Sequence, residues 1–267
     1  MRHARPRTRP RVGASDGRRR HRWSRGDSLL AVVAGSLVVW TLIPGVGPDI
    51  LSLGDRYGWG IGGGSRAGND ATALASTEVG AALEALTETP TDEVPTYTRE
   101  AFGQQWADTD HNGCDTRNDI LARDLARPTF KEGTNGCVVL GGTLAEPYTG
   151  RIMEFERGRE TSSLVQIDHV VALADAWRSG AWEWELGRRQ EFANDPLNLL
   201  AVEGQANQDK EAGAADLWLP PDGGFRCAYV ARQVAVKGKW GLGVTQSERS
   251  AMGAVLVTCP DQALPVS

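Results

Sequence analysis

SLVQIDHVVALADAW, residues 163–177, decides the fold, because an apolar run there ends on an adjoining aspartate and histidine. Leu164, Val165 and Ile167 are apolar and β-branched residues dominate, so residues 163–171 are predicted to form a strand. Downstream, LNLLAV (197–202) predicts a second, short strand. EGQANQDKEAGAADLW (203–218) then predicts a helix running into Pro220. The order strand, strand, helix places Asp168 and His169 at the end of the first strand and Asn198 at the second. Asn207 and Lys210 fall on the helix, one turn apart. On a regular strand Asp168 and His169 point to opposite faces, so a bend at the strand end is needed to bring both to one site.

Working outward, EVGAALEAL (78–86) has helical spacing, with Val79, Leu83 and Leu86 on one face, before TETPTDEVP interrupts it with two prolines. RNDILARDL (117–125) predicts a helix that Pro128 ends, and GCVVLGGTL (136–144) a strand and turn. LADAWRSGAW and LGRRQEFAND read as helical, with Gly180 and Gly187 as breaks. RQVAVKGKW and TQSERSAMGAVLVTC close the domain. The last of these is a helix with Ser247 among its capping residues and Met252, Val255 and Leu256 on its apolar face. The whole is an α+β pattern over residues 78–262 with no internal repeat.

Charge divides the chain. Residues 1–26 hold ten arginines and one aspartate, a net +9, which leaves −14 on the remainder against −5 overall. An acidic folded part excludes a broad basic surface, so any phosphate binding must be local or metal-assisted. After the basic start, 1–28, comes LLAVVAGSLVVWTLIPGVG (29–47), uncharged throughout. It reads as a signal-anchor or a cleaved signal, with the N-terminus cytoplasmic and the remainder exported. If uncleaved, it ties the chain to a membrane. Residues 48–77, with GIGGGSRAG, read as a flexible tether. The four cysteines agree with export. None forms a CxxC pair, which disfavours zinc, and Cys114–Cys137 and Cys227–Cys259 are the expected disulfides because each closes a modest local loop.

Several chemistries are excluded. Only His111 and His169 lie in the domain, and there is no HExxH, no GxSxG and no glycine-rich loop followed by Lys-Ser or Lys-Thr. With all cysteines paired, no thiol nucleophile remains. DTDHNGCD (108–115) offers Asp108, Asp110 and Asp115, but the calcium-loop spacing is absent and a plain loop is expected. Trp106, Trp177, Trp182, Trp184 and Trp218 are expected in the core, and Arg117 and Arg123 in salt bridges on a helix face.

IDHVVAL, NLLAV and ANQDK in this order resemble the HNH, or ββα-metal, nuclease motif. More narrowly, residues 97–259 resemble the exported HNH endonuclease family related to the C-terminal domain of the GmrSD restriction enzymes. FGQQWAD, CDTRNDILARDL, PYTG, FANDPLNLLAV, DLWLPP and the closing cysteines carry that likeness. It implies a metal-dependent endonuclease built on a ββα-metal core and acting outside the cytoplasm on nucleic acid, DNA before RNA. It also implies a catalytic set of His169 as general base, Asn198 as a brace for the loop that orients His169 through its amide, and Lys210 as a contact to phosphate, with Asp168 and Asn207 as ligands of one divalent ion (Mg²⁺ or Mn²⁺). No protein partner is expected. The alternative is a non-catalytic extracytoplasmic binding or structural domain that keeps the fold. Three departures from the family pattern stand out: Ala172 replaces a proline common in relatives, Glu211 replaces a glycine that often follows the lysine, and Asn207 stands where the named motif has its last histidine, which removes zinc as the natural ion.

Overall fold

The structure is a computed structural model and describes residues 72–90 and 93–266. The readings for residues 1–28, for the hydrophobic segment 29–47 and for most of the tether lie outside the described residues.

Seven helices of six residues or more and five strands are present among the described residues: α1 (Glu78–Ala85), α2 (Thr116–Asp124), β1 (Leu125–Phe130), β2 (Val139–Ala145), β3 (Ile152–Glu156), β4 (Val165–His169), α3 (Leu173–Arg178), α4 (Leu186–Ala193), β5 (Leu199–Glu203), α5 (Gly204–Lys210), α6 (Arg226–Trp240) and α7 (Gln246–Leu256). The expected α+β class holds. One antiparallel sheet has the order β1-β2-β3, and the second is the pair β4-β5.

The hairpin of β4 and β5 is the wall between two cores. Val165, Ile167, Leu199 and Ala201 face a core shared with α2 and the three-stranded sheet. Leu200 and Val202, alternating with them, face a core shared with α1, α6 and α7. Period-two alternation puts apolar residues on both faces, which is why LNLLAV reads as one unbroken apolar run. The register pairs Ile167 with Ala201, Asp168 with Leu200 and His169 with Leu199. The strand therefore stays regular to its last residue, without the expected bend, and Asp168 and His169 leave it on opposite faces.

Several local expectations are corrected. The helix over 117–125 ends at Asp124, and Pro128 lies inside edge strand β1. There Arg127 has φ +51° and the register shifts between Ala126 and Thr129, so Pro128, which has no N–H to give, falls at an irregularity where neither it nor Arg127 is paired with β2. The helix expected to reach residue 218 stops at Lys210, where Glu211 takes φ +51°. Thr245, not Ser247, caps α7 by accepting from the Glu248 N–H. Order also begins before residue 78, because Leu74 is buried in the core with Val79 and Leu83. Arg249 holds that N-terminal segment by donating to the carbonyls of Leu83 and Leu86 at the end of α1.

Both expected disulfides form, Cys114–Cys137 and Cys227–Cys259. A buried ion network ties the helical half together. Lys237, fully buried on α6, lies 3.2 Å from Asp175 of α3 and 2.7 Å from Glu248 of α7.

Candidate active site

Asp168 and His169 end β4 and both line a cleft of about 460 Å³, with Gln166, Asn207 and Glu211 along it. The histidine is buried, and its Nε2 lies 2.8 Å from the carbonyl oxygen of Ala193, at the end of α4. A carbonyl can only accept, so this contact places the proton on Nε2 and leaves Nδ1 as the basic lone pair. Trp106 lies nearly parallel to the imidazole, with ring planes 13° apart and centroids 6.0 Å apart. Burial lowers the His169 pKa to about 3, with the charges of Arg99 and Lys210 adding to the shift. At neutral pH the ring is an uncharged acceptor.

That shift has a consequence for stability. The unfolded chain takes up a proton at His169 near pH 6.5, whereas the folded chain does so only near pH 3. Between those values the unfolded state binds more protons, so stability falls as pH falls, by up to about 1.4 kcal/mol per pH unit. Urea unfolding from pH 7 to pH 4.5 should show a steeper acid loss in the wild type than in His169→Gln. Parallel curves would place the imidazole in contact with solvent.

Asp168 is held from two sides. Tyr148 Oη donates to its Oδ2 at 2.5 Å, and Lys210 Nζ donates to its Oδ1 at 3.0 Å. Burial raises the Asp168 pKa above the usual carboxylate range, and the Lys210 charge and the two hydrogen bonds oppose that rise. Lys210 itself is only 1 % exposed and also donates to the His169 carbonyl at 2.7 Å. This differs from the expected phosphate contact. Its ammonium is turned inward, spent on the carboxylate and on the strand end. The stem of a lysine reaches this far only because α5 packs directly on β4 and β5, which a sequence pattern does not display.

Asn198 is fully buried and braces the turn after β4. Its Oδ1 accepts from Val171 N at 2.8 Å and its Nδ2 donates to Val171 O at 3.1 Å, while its own carbonyl accepts from Val170 N. The amide thus copies a strand neighbour for residues just beyond His169 and does not touch the imidazole. Asn207 donates from Nδ2 to Gln166 Oε1 at 2.8 Å, and its Oδ1 accepts no hydrogen bond among the described residues.

Two neighbours escaped the sequence reading. Tyr148, in PYTG, is the fully buried partner of Asp168, and Trp106, expected in the core, lies on the cleft against His169. The acidic loop 108–115 is a set of local turns, with Asp108 accepting from Asn112 N and Gly113 N. Among the described residues no group of three His, Cys, Asp or Glu gathers as a metal site.

The match to known families now has a geometry to stand on. Residues 115–255, just over half of the chain, match the model of the GmrSD restriction endonucleases, C-terminal domain. The chain belongs to that family. A curated relative from Arthroderma benhamiae, described as an uncharacterized secreted protein, is 36 % identical over 179 residues, spanning 66 % of this chain and 82 % of that protein. No solved structure matches. The family match begins at Asp115, the cap of α2, and ends within α7, so it contains Asp168, His169, Asn198, Asn207 and Lys210 but leaves out Arg99 and Trp106.

Glu211 bears on the family's chemistry. With φ +51° and ψ −123° it occupies backbone space suited to glycine, and the residue lines the cleft. Glu211→Gly should relieve about 1–3 kcal/mol of backbone strain, less the entropy glycine adds to the unfolded chain. A melting temperature that rises by a few degrees is the expected result; an unchanged or lower value contradicts the strain.

Proposed function

We propose that the chain is a metal-dependent endonuclease of the HNH, ββα-metal type that hydrolyses phosphodiester bonds of DNA outside the cytoplasm. The family supports a nuclease in general terms. The observation that carries the finer reading is the His169 imidazole, held by Nε2 on the Ala193 carbonyl with Nδ1 left as the basic nitrogen, in a cleft that Asp168 and Asn207 also line.

His169 takes the proton of an attacking water through Nδ1. Its neutral form is ready at pH 7, and the imidazolium that results is stabilised by the negative charge of the phosphate entering the cleft. Trp106 and the Ala193 carbonyl hold the ring against rotation. Asn198 fixes the segment that follows it.

Asp168 and Asn207 are the residues that would hold a divalent ion. Asp168 accepts from Tyr148 on one oxygen and from Lys210 on the other, and the Asn207 Oδ1, which accepts no hydrogen bond among the described residues, lies in the same cleft. Two hard oxygen donors suit Mg²⁺ or Mn²⁺, with the remaining positions left to water and phosphate. Such an ion supplies charge stabilisation at the phosphate and at the departing oxygen. Lys210 keeps Asp168 ionised in a buried setting and ties α5 to the strand end; it is a positioning residue.

Export is supported by the paired cysteines and by the secreted description of the relative. Residues 29–47 would direct it, as a cleaved signal or as an anchor. Plasmid digestion tests the reading: Mg²⁺ or Mn²⁺ should support cleavage and EDTA should stop it. Plasmid left intact under every divalent ion tried would favour the non-catalytic alternative.

A further inference from the structure

With Lys210 turned inward, the cleft must meet the charge of a phosphate with other cations. Arg99 and Arg117 are the lysine or arginine residues along its wall among the described residues, facing the carboxylates Asp168 and Glu211. Arg99 is exposed and makes no hydrogen bond or ion pair with another described residue, yet its charge is felt at His169. Arg117 is half-buried and donates a single hydrogen bond, Nη2 to the Val165 carbonyl at 3.4 Å, with no carboxylate within ion-pair distance. Burial and the nearby Arg157 charge disfavour the Arg117 cation, the Asp115 charge offsets them only in part, and a bound anion would offset the rest. The contrast within the same domain is direct: Arg123, on the same helix as Arg117, pairs with Asp124 at 2.6 Å.

We propose that Arg99 and Arg117 form a two-point clamp for the phosphodiester backbone, gripping consecutive or flanking phosphates so that one phosphate lies against His169 and Asp168. Both guanidiniums have donors to spare for forked contacts to phosphate oxygens. The clamp explains how an acidic domain could hold a polyanion, through two local cations in place of a basic face. It rests on the nuclease reading and adds the residues that recognise the substrate's backbone.

The test measures DNA binding by the full-length chain in a His169→Ala background, with a labelled duplex at several salt concentrations. Arg99→Gln and Arg117→Gln should each weaken binding and each reduce the slope of log affinity against log salt by about 0.9, the value for one duplex phosphate contact. Arg127→Gln, at an arginine outside the cleft, should leave the slope unchanged. Arg99 is exposed, so its variant decides the matter even if Arg117→Gln melts early. Parental slopes in both variants would overturn the clamp while leaving the nuclease reading intact, provided the wild type cleaves. A wild type that neither binds nor cleaves DNA would overturn both.

Discussion

His169→Ala should lower the cleavage rate by about 10³-fold while the domain stays folded. The imidazole's one hydrogen bond to the protein runs to the Ala193 carbonyl. Losing it, and the contact with Trp106, costs about 1–3 kcal/mol, well short of total stability for a domain of this size. The loss of rate has a different origin: among the described residues no other titratable nitrogen lines the cleft in a neutral, accepting form, because Arg99 and Arg117 are cations and donors only. Added imidazole should restore part of the rate by entering the space that the side chain leaves. A purely structural histidine would show no such rescue, and full activity in His169→Ala would remove the proposed base.

Lys210→Met should destabilise the domain by about 3–5 kcal/mol, because it removes the cation that pairs with a buried carboxylate. Asp168 then moves further above the usual carboxylate range and loses its charge at lower cost than its pairing, which also removes the anion needed for a metal ligand. The double variant Asp168→Asn with Lys210→Met should recover much of the lost stability while remaining inactive, since neither partner is then an isolated charge. Urea midpoints of the three variants read this directly. If the double variant is as unstable as the sum of the singles, the ion pair does not hold the site together.

The hairpin and its helix were legible because their signals are local: apolar alternation at 163–171 and 197–202, and asparagines and a lysine at helical spacing behind them. Disulfide partners were legible for the same reason, since each pair closes a short loop. The sites of failure share a cause as well. A lysine in ANQDK reads as exposed, and only the packing of α5 on β4 reveals that it is buried against Asp168. Tyr148 and Trp106 reach the site from loops far away in sequence, so no spacing rule connects them to His169. Strand β1 was hidden by Pro128, which an edge strand with a register shift accommodates. The early stop of α5 falls at Glu211, whose positive φ favours glycine, so the residue type there hid the end of the helix.

The central claim is that His169 and its cleft direct water onto the phosphorus of a nucleic-acid backbone. It is tested by incubating a duplex of defined sequence with the wild-type protein and Mg²⁺ in ¹⁸O-labelled water and weighing the products by mass spectrometry. The account predicts new strand ends in which the freshly formed terminal phosphate carries one ¹⁸O atom, and about 10³-fold slower formation of such ends with His169→Ala. New ends without the label, or an uncut duplex, would contradict it.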